Sequence, residues 1–175
     1  MSVVIRTLAY ATVFIGFLIV YLPSRIMGWT GTTMPLEIHG PQITGIVVGA
    51  LGVALTLACV FSFIRMGRGT PAPFDAPRQL VIRGPYRVVR NPMYIGAATI
   101  LAGIAIFYES LAVVIYAVGF LLVFHLFVVF YEEPTLRRKF GPDYITYSHR
   151  VGRWWPALHT LTRYSSSSSQ TQTKA

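Results

Sequence analysis

Three stretches of this chain are apolar over lengths that a water-facing chain does not sustain. Residues 42–64 and 110–131 contain no Asp, Glu, Lys or Arg, and residues 3–22 are interrupted only by Arg6. About 20 consecutive apolar residues cross the hydrocarbon core of a bilayer as one helix. A fourth apolar stretch, 93–107, covers about 22 Å at about 1.5 Å per residue, against a core of about 30 Å. It is expected to be a short spanning helix joined to the next by Tyr108-Glu109, with a re-entrant segment as the alternative. The expected fold is therefore all-α: a polytopic membrane bundle of about four transmembrane helices near 3–22, 42–64, 92–107 and 110–133, followed by a cytoplasmic C-terminal segment with short interfacial helices. Residues 1–164 are expected to form one integral membrane domain. The Ser/Gln/Thr-rich residues 165–175 read as a disordered tail.

Composition supports this. Only 12% of residues are charged, where soluble domains carry about 25%. The first apolar run has one basic residue and no small-residue cleavage site before Pro23; it is expected to stay as a helix rather than be removed as a signal peptide. The single cysteine, Cys59, excludes an internal disulfide framework, and no Cys/His cluster suggests a metal.

The basic residues orient the chain. Arg65, Arg68, Arg78, Arg83, Arg87 and Arg90 lie between the second and third helices. Arg137, Arg138, Lys139, Arg150, Arg153, Arg163 and Lys174 follow the fourth. Only Arg25 lies in the loop on the other side. The positive-inside rule then puts both termini in the cytoplasm. With a net charge of +9, the expected counter-charge is anionic lipid headgroups rather than nucleic acid, with a phosphorylated or carboxylated substrate as the alternative. Along the second helix, Gly45, Gly49, Ala50, Ala54 and Ala58 recur at helical spacing, which suits a close seam within the bundle.

Three cytoplasmic features could carry chemistry. In the first, residues 83–94, a Gly-Pro turn leads to Asn91-Pro92, an N-cap and N1 pair that starts the third helix. Free backbone N–H groups there, beside Arg83, Arg87 and Arg90, favour an anion; a cationic loop touching lipid headgroups is the plainer reading. The second is Glu132-Glu133, with His125 two turns earlier on the same face. The glutamates could hold a cationic group or pair with nearby arginines, and His125 reads more simply as a helix–helix hydrogen-bond partner. The third is the Phe140-Gly141-Pro142 turn followed by Tyr144 and Tyr147, then Arg153-Trp154-Trp155-Pro156. These aromatics could anchor the chain at the interface or offer faces to a cation. Together the features fit a zwitterionic ligand; S-adenosylmethionine and a phosphocholine-like headgroup both satisfy that logic.

At these residues the chain resembles the isoprenylcysteine carboxyl methyltransferase and phospholipid methyltransferase superfamily. The resemblance rests on residues 83–96, on Glu132 to Gly141, on Tyr144 and Tyr147, and on the closing Arg-Trp-Trp-Pro. Thr70 to Pro73 with Pro77-Arg78 looks like bacterial members, which implies a bacterial inner membrane. The resemblance covers residues 65–158. It implies a membrane-embedded methyltransferase using S-adenosyl-L-methionine, with a lipophilic methyl acceptor entering from the bilayer. By matching, Asn91, Pro92, Met93, Tyr94, Glu132 and Glu133 are expected along the cofactor. Tyr86, Arg87 and Tyr144 are expected to join them, and Glu133 and Arg90 to act in catalysis. Asn91 stands where the family pattern commonly has His, so no base is expected at that position. The rival readings are a membrane reductase of steroid-reductase-like type, for which no GxGxxG fingerprint is present, and a non-catalytic lipid-binding protein.

Overall fold

The computed structural model describes residues 16–66 and 80–157. The expected helix start at 3–15, the bacterial-type motif at 70–78 and the tail 165–175 lie outside the described residues. The described chain is helical, and no strand occurs among these residues; one isolated parallel bridge pairs Val89 with Gly152.

A π-helical turn, Gly16–Tyr21, runs into helix α1, Leu22–Trp29. The helix therefore continues past residue 22, where it was expected to end. Pro23 has no N–H to give to the preceding turn, and a wide turn absorbs its ring. The Tyr116 hydroxyl donates to the Leu18 carbonyl at 2.7 Å. Ile19 packs with Ala97, Leu101 and Phe120, so this segment wedges against the two later apolar helices.

Helix α2, Gly40–Met66, and helix α3, Pro92–Phe107, form an antiparallel pair. Their backbones touch through glycines. A Cβ on Gly103 would lie 2.5 Å from the Gly49 nitrogen, and one on Gly52 would lie 2.7 Å from the Ile100 nitrogen. A Cβ on Gly45 would meet the Phe107 nitrogen at 2.6 Å, and one on Gly96 would meet Thr56 Oγ1 at 2.5 Å. The seam is thus Gly45, Gly49, Gly52 and Thr56 against Gly96 and Gly103. Ala50, Ala54 and Ala58, expected in the same seam, are exposed on other faces. Helical rotation carries the contact along the i, i+4, i+7, i+11 row instead. At the end of this pair away from Asn91, the buried Gln42 amide donates to the Phe107 carbonyl at 3.2 Å and to Glu109 Oε1 at 2.9 Å. That bond holds Glu109 at φ 49° in the turn after α3.

Helix α4, Leu111–Phe127, passes through a π turn, Val128–Glu132, directly into helix α5, Glu133–Phe140. The fourth helix was expected to stop near 133, but it continues to Phe140. Pro134 again sits two residues beyond a π turn, as Pro23 does. Helix α6, Pro142–Arg150, follows the turn at Gly141, whose φ is 51°. α5 is thus the continuation of the fourth helix, and α6 is a short helix of the length expected in the C-terminal segment.

Among the described residues, two helices are long and apolar enough to cross a membrane, Gly40–Ser62 and Leu111–Phe140. Ile43, Ile46, Val47, Leu51 and Leu57 on the first point outward, as do Val114, Ile115, Val118, Leu122 and Val123 on the second. Such continuous apolar surface calls for an apolar surrounding. Of the about four spanning helices expected, these two qualify by length and composition. α3 has 16 residues, about 24 Å, and is short of the hydrocarbon core.

Candidate functional site

The site forms where the α2–α3 loop, the start of α3, the α4–α5 junction and the last described segment meet. Before α3, the 3-10 turn Gly84–Arg87 buries Tyr86 against Cys59 and Val81. After α6, residues 151–157 fold back as a strap. The Arg90 backbone N–H donates to the Gly152 carbonyl at 2.8 Å, and the Asn91 side-chain amide donates to the Arg153 carbonyl at 3.3 Å. Gly152 is required in this turn, since a Cβ there would collide with the Trp155 carbonyl oxygen. Asn91 does stand at the N-cap position, but its side chain makes no capping bond. The amide is spent on the strap, a contact that spacing along one helix could not reveal.

At the centre, Glu133 is 6% exposed. Arg153 approaches it with two donors, Nε to Oε1 at 2.6 Å and Nη2 to Oε2 at 2.9 Å. Arg90 Nη1 reaches the same Oε1 at 3.0 Å and also donates to the Tyr144 hydroxyl at 3.1 Å. The bidentate pairing with Glu133 holds Arg153 firmly in its charged form, its pKa raised above the ordinary arginine value. Arg90 Nε is buried with no hydrogen-bond partner among the described residues. Below this cluster, Tyr144 and Tyr147 share one face of α6 and pack with Val151. The Tyr147 hydroxyl donates to the Tyr86 carbonyl at 2.7 Å. Burial pushes both phenols above their ordinary pKa. The strap, the loop and α6 are therefore tied into one unit around Glu133.

Glu132 has a different environment. Its Oε2 accepts from the Tyr94 hydroxyl at 3.2 Å, and the residue is only half-buried. Tyr94 stacks on Phe124 with centroids 4.9 Å apart and lies 6.5 Å from the Trp154 ring. The Trp154 indole N–H donates to His125 Nδ1 at 3.0 Å. The neighbouring carboxylates thus divide their contacts: Glu133 pairs with two arginines, and Glu132 faces an aromatic wall with a single tyrosine bond.

Of the residues expected in the site, Arg90, Asn91, Tyr94, Glu132, Glu133 and Tyr144 come together here. Tyr86, Pro92 and Met93 lie in the packing beneath; Pro92 is fully buried, and Met93 packs against the Cys59 cluster. Arg87 is exposed on the 3-10 turn. Arg153, His125 and Phe124 belong to the cluster although none stood among the expected site residues. Arg153 had a legible signal in the Arg-Trp-Trp-Pro motif. Phe124 had only its spacing of eight residues, about two turns, from Glu132.

A chain of outward apolar helices with a charged and aromatic cluster gathered at one end limits the families it can join. The family model for phospholipid methyltransferase matches residues 41–143, more than half of the chain. The chain belongs to the phospholipid methyltransferase family. That family lies within the superfamily that also holds the isoprenylcysteine-type membrane methyltransferases. No curated protein matches the chain, and no solved structure matches it. Membership makes this a membrane methyltransferase family member and implies S-adenosylmethionine as methyl donor. The residues present fit that donor's chemistry. A carboxylate suits Arg90, with its orphaned Nε, and Arg153; an ammonium suits Glu132; a sulfonium suits the faces of Tyr94 and Trp154.

Proposed function

We propose that this protein transfers a methyl group from S-adenosylmethionine to a lipophilic acceptor at the cytoplasmic face of a bacterial inner membrane, in the manner of the isoprenylcysteine carboxyl methyltransferases. The observation that carries this reading is the half-open Glu132–Tyr94 pair under Phe124 and Trp154, next to the arginine pair on Glu133. In this reading about four helices span the bilayer, both termini are cytoplasmic, and residues 1–164 act as one domain.

When bound, S-adenosylmethionine supplies an electrophilic methyl carbon on a sulfonium. This chain's residues position and protect the reaction. Arg90 and Arg153 hold the carboxylate end, with Asn91 and the start of α3 beside them, while Glu132 takes the ammonium. Tyr94 and Trp154 keep water from the cationic centre. Positive charge on sulfur declines during transfer, so a carboxylate bound tightly to sulfur would not lower the barrier. Orientation supplies most of the acceleration, and well-oriented reactants gain about 7–11 kcal/mol. A carboxylate acceptor needs no base; an amine acceptor would pass its proton to water. We assign the ammonium to Glu132, in preference to Glu133, because Glu133 already accepts three charge-assisted hydrogen bonds. Glu133 then serves by holding Arg90 and Arg153 in place.

The test is calorimetric titration of detergent-purified protein with S-adenosylhomocysteine, beside Glu132→Gln. Binding to the wild type, weakened at least about tenfold in the variant, supports the assignment; removing a charge-assisted bond is worth about 1.5–3 kcal/mol. No binding by well-folded wild type overturns it. Tight binding of a reduced nicotinamide would establish the reductase alternative, and binding of neither ligand would leave a non-catalytic lipid-binding protein.

A further inference from the structure

Two adjacent tryptophans in the strap have opposite fates. Trp155 is 81% exposed. Trp154 is half-buried, tilted against Tyr94, and tied by its indole N–H to His125 Nδ1 at 3.0 Å. The other bonds of the strap act on its backbone and on Arg153: Arg90 N–H to Gly152, Asn91 to the Arg153 carbonyl, and Arg153 to Glu133. None of these fixes the Trp154 ring, which could rotate about its own side-chain torsions. Among the described residues, His125 supplies the hydrogen bond that does.

An indole N–H can only donate. His125 Nδ1 must therefore present its lone pair, which puts the proton of the neutral ring on Nε2. The imidazole also lies at 32° to the indole plane with centroids 6.0 Å apart, so it supports the ring as well as bonding it. From Trp154 the contacts run to Tyr94 and through its hydroxyl to Glu132.

We propose that His125 is a positioning residue: its Nδ1 lone pair fixes the Trp154 indole against Tyr94 and so shapes the aromatic wall beside Glu132. This rests on the methyltransferase reading for what that wall receives. The latch itself does not depend on that reading.

The experiment uses the full chain with Trp29→Phe and Trp155→Phe, leaving Trp154 as the single emitter. Both replaced rings are highly exposed. His125→Phe removes the acceptor but keeps a ring, whereas His125→Asn returns an acceptor near the Nδ1 position. Trp154 emission and S-adenosylhomocysteine affinity are read in each, with thermal melting to verify the fold. The expected result is a red-shifted emission and about fivefold weaker binding in His125→Phe, as follows from losing a hydrogen bond worth about 1 kcal/mol. Both properties should return towards wild type in His125→Asn. If His125→Phe does not fold, His125→Leu removes the acceptor instead and should give the same red shift and weaker binding.

Unchanged affinity in His125→Phe, or no recovery in His125→Asn, overturns the positioning role. Unchanged emission in His125→Phe overturns the latch. Failure of the unmutated protein to bind S-adenosylhomocysteine overturns the methyltransferase reading and the role at its site, while the emission series still reports separately on the latch.

Discussion

Replacing Glu133 with Gln keeps the shape of the side chain and removes its charge. The carboxylate accepts from Arg153 at 2.6 and 2.9 Å and from Arg90 at 3.0 Å. Breaking a buried ion pair by neutralising one partner costs about 3–5 kcal/mol, because the remaining charge is stranded. The two arginines differ in how far they are stranded. The Arg153 side chain is 32% exposed and can turn to water, whereas that of Arg90 is 12% exposed and cannot. The expected loss is therefore at the lower end, about 3 kcal/mol. For a chain of this size each kcal/mol moves Tm by about 2–4 °C, so Tm should fall by about 6–12 °C. The strap should also loosen, and trypsin should cut after Arg150 and Arg153 well below the new Tm. The assay is a thermal melt in detergent followed by timed tryptic digestion. Glu132→Gln is the control: it loses one bond to Tyr94, about 1 kcal/mol, and should leave the strap protected. A Glu133→Gln protein with Tm within about 2 °C of wild type and a protected strap would refute the clamp argument. If that stable variant also failed to bind S-adenosylhomocysteine, Glu133 itself would be the ligand contact.

Two further predictions address the scaffold. Gly103→Ala should destabilise by about 1–3 kcal/mol through overpacking against the α2 backbone. Gly49→Ala, where a Cβ meets nothing within 4 Å, should be neutral or stabilise by up to about 1 kcal/mol; equal effects of the two in thermal melts would contradict the seam described. Tyr144 and Tyr147 are held protonated above the ordinary phenol value of 10. Folding thus binds protons more tightly than the unfolded chain does, so stability is intact below about pH 10 and falls as pH rises beyond it. Absorbance titration at alkaline pH should show these two phenols ionising late, and ordinary ionisation in a folded Tyr144→Phe/Tyr147→Phe comparison would refute this.

Much of the architecture was legible in the residue order. Apolar runs without charge can only be buried or face lipid, so residues 42–64 and 110–131 declared α2 and α4 directly. Asn91-Pro92 declared the start of α3, because proline is favoured where its missing N–H costs nothing. The cluster of chemistry at the arginine-rich motifs was legible for the same reason: Arg, Glu and aromatic residues are few in so apolar a chain. The helix ends were less legible. Pro23 and Pro134 look like terminators, yet each follows a π turn that carries the helix past it. Ala50, Ala54 and Ala58 look like seam residues, yet the row that meets α3 runs through Gly52 and Thr56.

The arginine-rich side shows the same division. Its charges and its place at one end of the bundle follow from sequence, since segment order and hydropathy put them there. Which carboxylate they neutralise does not, because Glu132 and Glu133 are chemically identical neighbours. Their different roles arise from the turn at the α4–α5 junction, which points one towards Tyr94 and the other towards Arg90. Arg153 reaches that second carboxylate from 20 residues away only because Gly152 lets the strap fold back onto the start of α3. Sequence determined the inventory of charges and the helices that carry them. Only the tertiary structure decided which of those charges face each other, because that depends on helix rotation and on contacts between segments far apart in the chain.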